Sequence, residues 1–444
     1  KFVYGLWLGD YERGLSFAWE SDRNWDDADA PGAVEIIRQG ENTVVRFHLI
    51  RKARKLSGKT AFSFGLQPTP VKPIQARTFT DVVSNYNAPH PWESGKTYEA
   101  WKRAMIGQAG KMGGNWGIFF NNIGSHFGHI VPPSPLVEKR LAEAAKLSRD
   151  AGVRTVIYSA WAFNGEVPEL KPYMYDMVRL PLGDWRGTWG NGLYKQCPGG
   201  AWSDMFLAGV SDLADRCGID GIYTDQLTEL SSCVNLHHGC GYRAADGTVR
   251  PTFPIRKMRE LHRRLYTLLE GKRGENDFMI YSHNSSQPVF TPVDAFISRR
   301  CYAETFTHKP TTLGQVFNLD RICAGYNPSA TGIASEITWW NGFHKTISNN
   351  NAMASVALVG GGVKGVIGHF LLPTFREGYA QNEHAELGLA RALRTLDREH
   401  TQFVPFFRSK ELAASASGKS RSALWIDRVG NQAVAVVSNL LNGG

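Results

Sequence analysis

Residues 1 to 75 alternate apolar and polar side chains at every second position, as in Thr43-Val44-Val45-Arg46-Phe47-His48-Leu49-Ile50 and Thr60-Ala61-Phe62-Ser63-Phe64-Gly65-Leu66. A period of two, broken by clusters of Gly, Asn and Asp, predicts antiparallel strands with one buried face. The stretch Gln67-Pro68-Thr69-Pro70-Val71-Lys72-Pro73 follows. Its prolines lack a donor for a sheet ladder and restrict the residues before them, so it predicts an extended connector rather than a helix or a central strand.

From residue 76 the period becomes helical. Ser134 and Pro135 have the character of an N-cap and a first helical residue, and Leu136, Val137, Leu141, Ala144, Ala145 and Leu147 follow on one face. Gly152 then stops the helix and Val153-Arg154-Thr155-Val156-Ile157-Tyr158-Ser159 reads as a strand. The same order recurs twice. Trp202, Phe206, Gly209, Leu213 and Cys217 lead through Gly218 to Gly221-Ile222-Tyr223-Thr224-Asp225, and Ile255, Met258, Leu261, Leu265 and Leu268 lead to Phe278-Met279-Ile280-Tyr281-Ser282. Asp294–Ser298 and Gly365–Phe370 are further expected strands, and a last helix is expected near Ala385 to His400.

Strands alternating with helices predict an α/β fold with a parallel sheet covered by helices. No Gly-rich phosphate fingerprint follows any strand, and polar groups fall at the ends of several strands rather than at one crevice. The expectation is therefore a (β/α)8 TIM-like barrel over residues 76–405. An antiparallel β-sandwich module (1–75) precedes it. The start of a C-terminal β domain (406–444) follows, built on Ser422–Ile426 and Ala433–Val437.

With 444 residues, 42% of them apolar and 20% charged, the chain is long enough for two or three domains. It has no apolar run long enough to span a bilayer, and Lys1–Asp10 lacks the apolar core of a signal peptide, so no membrane partner is expected. The formal charge of +9 comes from scattered Lys and Arg with no basic helix or zinc-knuckle spacing, which argues against nucleic acid. An anionic polysaccharide stays open through Arg299 and Arg300. Six cysteines are too few and too spread for a disulfide framework. Only Cys233-Val234-Asn235-Leu236-His237-His238-Gly239-Cys240 is a cluster, readable as a metal site, a local disulfide or plain loop. Its spacing matches no zinc pattern, and adjacent histidines rarely both reach one ion, so neither metal nor cofactor is expected.

Asp225 is the first candidate for chemistry, because a carboxylate at the C-terminal tip of a parallel strand sits where such folds place catalytic groups. Glycosidic bonds are typically cleaved by two carboxyl groups, one protonating the leaving oxygen and one acting as nucleophile or base. Glu304, after the expected 294–298 strand, is the preferred partner; Glu336 and Glu229 are alternatives. His283, Asn284, Tyr302, Arg299 and His369 stand near strand ends as sugar-binding groups. Trp161, Trp339 and Trp340, with Trp185 and Trp189, are expected in loops where flat rings suit pyranose faces.

Arg13-Gly14-Leu15, Trp19-Glu20-Ser21-Asp22, the connector Gly65–Pro73 and the strand ending in Asp225 resemble the glycoside hydrolase family 123-like group. That resemblance implies a β-sandwich, a (β/α)8 barrel and a C-terminal β domain acting on glycans, in an extracellular or periplasmic setting. Characterised members resemble hexosaminidases in using an adjacent Asp-Glu pair. Here the pair is Asp225-Gln226, and Gln cannot donate and regain a proton at neutral pH. The expected function is a glycoside hydrolase using Asp225 and Glu304. The alternatives are a polysaccharide lyase with Tyr302 or His283 as base and Arg299 neutralising a uronate, and a non-catalytic carbohydrate-binding relative.

Overall fold

A computed structural model describes residues 2–55, 58–75, 77–81, 83–87, 116–120, 135–164, 168–182, 193–225, 231–275, 277–283, 288–298, 300–306, 325–340, 392–393, 395–397, 399–412 and 420–439. Within these, 300–306 and 336–340 are described by their backbone alone. The expected strand Gly365–Phe370 and most of the expected helix 385–400 lie outside the described residues.

The N-terminal pattern folds into antiparallel strands, but the second expected run starts as strand only at Phe64, not Thr60. Strands β1 (Gly5–Gly9), β2 (Gly14–Trp19) and β5 (Phe64–Thr69) form an antiparallel sheet in the order β1-β2-β5, and β3 (Val34–Gln39) pairs with β4 (Asn42–Phe47) as a hairpin. Phe17, Trp19, Trp25 and Phe47 pack together where the hairpin meets the sheet. The expected connector is partly strand: β5 runs through Gln67, Pro68 and Thr69. Pro68 is tolerated because β5 pairs only with β2 among the described strands, so its missing N–H costs no second ladder.

Seven parallel strands follow in one curled sheet: β6 (Val83–Asn87), β7 (Trp116–Phe120), β8 (Arg154–Ala160), β11 (Gly221–Asp225), β14 (Met279–His283), β15 (Arg300–Phe306) and β16 (Ala334–Trp340). Each is bonded to its predecessor and successor in the chain among these seven. An open doubly wound sheet would reverse its order at a switch point, and no reversal occurs here. The short pairs β9 (Ala162–Asn164) with β10 (Leu193–Lys195), and β12 (Tyr242–Arg243) with β13 (Val249–Arg250), belong to the loops after β8 and β11.

The three predicted helix-glycine-strand units are present. Pro135–Asp150 opens on proline, where the missing N–H is one the first turn leaves unbonded in any case, and Trp202–Cys217 ends on Gly218 at φ +71°. Ile255–Arg273 is the third. The expected strand at 294–298 is not found. Thr291–Asp294 is one helical turn with Pro292 in its first positions, and the next strand begins at Arg300.

The sheet has two distinct faces. Ile157, Ile222 and Ile280 pack outward with Leu141, Phe206, Leu213, Leu261 and Leu265 of the three helices. On the opposite face Val156, Tyr158, Tyr223, Met279 and Tyr281 form a second buried cluster with Val83 and Trp116. Gly221 sits in this inner layer, and a Cβ there would lie 2.2 Å from the Met279 carbonyl oxygen. Among the described residues no helix is long and apolar enough to cross a membrane. At the C-terminal end β17 (Thr401–Val404), β18 (Ser420–Asp427) and β19 (Gln432–Asn439) form the expected antiparallel sheet, with Trp425 and Ala423 packed on Ala334 of β16.

His262 locks the third helix to the turn beyond β14. It is fully buried and its Nδ1 donates to the Val293 carbonyl at 3.0 Å. Burial pushes its pKa down from 6.5 to about 4, against the weaker upward pull of that hydrogen bond. Between those values the unfolded chain binds the proton and the folded one does not, so the contribution is complete above pH 6.5 and is lost as pH falls towards 4. A shift of this size corresponds to about 3 kcal/mol. Denaturant unfolding at pH 7 and pH 4.5 should show that loss in the wild type and a shallower slope in His262→Gln; equal slopes would remove His262 as the cause.

Candidate active site

The chemistry-bearing residues stand on the inner face at the C-terminal end of the three central strands. Register puts Tyr158, Tyr223 and Tyr281 level on β8, β11 and β14. Their rings are 5.3 Å and 5.0 Å apart, forming a floor of three tyrosines. One pleat further on, Ala160 pairs with Asp225, and His283 follows the Thr224–Ser282 pair at the same level. Behind this row, on the helix-facing side, the Thr224 hydroxyl donates to Ser282 Oγ at 3.3 Å.

Asp225 is 8% exposed. The Tyr158 hydroxyl donates to its Oδ2 at 2.5 Å, and His283 Nδ1 lies 2.8 Å from its Oδ1. The His283 ring also stacks on Tyr223, with centroids 5.7 Å apart and planes inclined by 23°. Its imidazole is thus oriented by one ring below and one carboxylate beside it. The Asp225 backbone carbonyl accepts from Trp161 N at 2.8 Å, which fixes the strand tip as well as the side chain.

Asp220, at the other end of β11's approach, shows the contrasting structural use of a carboxylate. Burial pushes its pKa up, while the Thr155 N–H it accepts at 2.8 Å and Arg273 at 3.5 Å pull the other way. It brackets the base of β8 to β11. Asp225 instead stands at the end from which the long loops depart.

The sequence-derived candidates divide into three groups. Asp225 and His283 are brought together. Glu304 is inside β15 rather than in a loop beyond a strand at 294–298, because a helical turn ends at Asp294 and the strand begins only at Arg300. Tyr302 pairs with His283 on one side and with Glu336 on the other, so these positions are level with the Asp225 row; Glu304 stands two residues further along, opposite Thr338. Trp339 and Trp340 end β16 opposite Thr305 and Phe306 rather than lying in a loop. Glu229, Asn284, Arg299 and His369, with Trp185 and Trp189, lie outside the described residues.

Trp161 does not offer its ring at the surface as its residue type suggests: it is 4% exposed and turned to the helix side of the sheet. Its ring packs edge-on against Phe206 at 5.6 Å, and its indole N–H donates to the Gln196 carbonyl at 3.3 Å. One residue beyond the strand it still follows the pleat, whose alternation sends it outward.

Sequence reasoning passed over Tyr158, Tyr223 and Tyr281, although a signal existed. Ile157-Tyr158-Ser159, Ile222-Tyr223-Thr224 and Ile280-Tyr281-Ser282 repeat one tripeptide in three successive strands. Isoleucine outward, tyrosine inward and a hydroxyl outward is the layer order of the folded sheet.

No family model and no curated protein matches the sequence. Among solved structures the chain is similar to a Paenibacillus cycloisomaltooligosaccharide glucanotransferase at 12% identity, over 75% of this chain and 51% of that one, with a TM-score of 0.42. It is similar to the α-N-acetylgalactosaminidase NagBb of Bifidobacterium bifidum at 13% identity, over 81% and 58% of the two chains, TM-score 0.45. A Thermus thermophilus α-galactosidase aligns at 12% identity over 98% and 80%, TM-score 0.44. The chain therefore spans between half and three fifths of the length of the first two.

Removing the Tyr158 hydroxyl takes away a hydrogen bond to a buried carboxylate. Tyr158→Phe should lower the free energy of unfolding by about 1.5–3 kcal/mol, the usual worth of a hydrogen bond to a charged group. Chemical denaturation at pH 7 measures it; an unchanged midpoint would show that the contact carries no energy.

Proposed function

We propose that the protein is a glycoside hydrolase in which Asp225 and Glu304 form the working pair of carboxyl groups on a glycan. The observation that carries the reading is the setting of Asp225. A carboxylate is buried at the C-terminal tip of the middle strand of a sequentially ordered parallel sheet, with a tyrosine hydroxyl on one oxygen and a histidine beside the other. A buried charge is expensive, and an oriented one facing the loop end of such a sheet is a common mark of chemistry. In this reading the curled parallel sheet belongs to a closed (β/α)8 barrel.

The roles follow from proton bookkeeping. Asp225 accepts from Tyr158, which leaves it suited to act as nucleophile or base. The acid that protonates the leaving oxygen must come from elsewhere, and Glu304 is assigned to it. β15 is two strands from β11, and at an inter-strand spacing of about 4.8 Å the two backbones are on the order of 10 Å apart. That leaves room for a sugar between the carboxyl groups. His283, Asn284, Tyr302 and Arg299 are assigned to hydroxyl or carboxylate groups of the substrate, His369, Trp339 and Trp340 to its outer sugars, and Glu336 and Glu229 are the alternative acids.

The narrower family reading, the glycoside hydrolase family 123-like group, rests on the N-terminal residues and the connector. An extracellular or periplasmic location goes with it. Because residue 226 is glutamine, the adjacent-pair mechanism of characterised members is replaced here by an acid from a different strand.

A panel of plant, algal and host glycans, read by new reducing ends, tests the proposal. Asp225→Asn and Glu304→Gln should each reduce kcat by at least about a thousandfold, the scale of a lost acid, base or nucleophile, while glycan binding persists. Full turnover in either variant removes that residue. An unsaturated, ultraviolet-absorbing product would instead identify a lyase, and binding without any product a non-catalytic relative.

A further inference from the structure

Cys197, Cys233 and Cys240 are 1%, 0% and 1% exposed and form a buried cluster of their own. They come from two separate loops. Cys197 lies between β10 and the helix Trp202–Cys217, whereas Cys233 and Cys240 flank a short helical turn, Leu236–His238, in the loop after β11. His238, 3% exposed, points its Nδ1 at Cys233 Sγ from 3.9 Å. Ligand atoms of Cys197, Cys233 and His238 all lie within 4.8 Å of one another, and Cys240 Sγ is 3.7 Å from Cys197 Sγ.

From this geometry we propose that Cys197, Cys233, Cys240 and His238 form a structural Cys3His site for a zinc ion that clips together the two loops flanking Asp225. Two zinc–sulfur bonds of about 2.3 Å at the tetrahedral angle set their sulfurs about 3.8 Å apart, matching the Cys197–Cys240 separation. A disulfide would need about 2.05 Å. Soft thiolates with one imidazole are the ligand set zinc prefers.

The surroundings are those of a ligand shell. His238 Nε2 is 3.1 Å from both the Tyr175 carbonyl and Asn235 Nδ2; in the tautomer that donates from Nε2 to the carbonyl, the Nδ1 lone pair is free for the ion on the side of the sulfurs. Leu180 N and Asn235 N donate to Cys233 Sγ at 3.5 Å and 3.4 Å, contacts that favour a thiolate. Gly239, between His238 and Cys240, and Gly241, just after Cys240, take φ +64° and +76°, a conformation that L side chains rarely adopt. His237 is excluded: it is exposed and lies 3.6 Å from Asp176. The spacing Cys-x4-His-x-Cys is unusual because the fourth ligand is supplied from 36 residues before Cys233.

The site is connected to the candidate catalytic row. Cys197 follows Gln196, whose carbonyl holds the Trp161 indole, and Trp161 N holds the Asp225 carbonyl. The ion thus fixes the loops on either side of Asp225 without touching substrate.

The experiment is metal analysis of the full chain purified under reducing conditions without added chelator. One zinc per chain is expected, falling below a tenth of an equivalent in Cys197→Ser/Cys240→Ser and unchanged in Cys217→Ser, a buried cysteine outside the cluster. If the double variant does not fold, cobalt titration of the chelator-stripped wild type decides: one equivalent should give intense thiolate-to-cobalt absorption and restore the thermal midpoint lost on stripping. No bound zinc and no such absorption would overturn the site, as would a Cys197–Cys240 disulfide found by peptide mass mapping. The readout is metal content, so it stands or falls separately from glycan turnover.

Discussion

A carboxylate held below the surface at the tip of a central strand is the constraint around which this structure is arranged. Asp225 retains only slight exposure, and an uncompensated charge at that depth would destabilise the fold by several kcal/mol. The compensation comes from the sheet itself. Parallel register aligns β8, β11 and β14 so that Tyr158 reaches one oxygen and His283 approaches the other. Three buried tyrosines form the layer beneath, and the middle one, Tyr223, stacks on the imidazole.

The outer face of the same strands supplies the rigidity this needs. Isoleucines level with one another pack against three amphipathic helices, and a residue one step past the strand, Trp161, joins that core while bonding the Asp225 backbone. Its indole then reaches the loop that bears Cys197. The path from helix packing to strand tip to the segment bearing Cys197 is continuous in covalent and hydrogen-bonded contacts, which ties that segment to the helix-packed core.

What could be read in the chain and what could not divides along one physical line. Local signals were legible: proline opening the helix at 135, glycine closing one at 218, and apolar periodicity marking each helix-strand unit and the strand that ends in Asp225. Pairings between distant segments were not. Nothing near Tyr158 announces a hydrogen bond to a residue 67 positions later, and nothing near Cys197 announces sulfurs from a loop on the other side of a helix and a strand. Phe296-Ile297 is apolar and β-prone and suggests a strand at 294–298, whereas a helical turn with Pro292 in its first positions and a buried Thr291 bonded to Ser16 runs into that segment at Asp294. The general affinity of tryptophan for sugars suggests a binding role for Trp161, while pleat parity sends it to the core.

The central claim is that the carboxyl groups of residues 225 and 304 face one sugar. A crystal structure of the Glu304→Gln variant with a bound oligosaccharide measures this directly. The scissile anomeric carbon should lie between the two side chains, with their terminal groups about 5–10 Å apart across it. A glycan seated with Asp225 beyond reach of any glycosidic bond would contradict it.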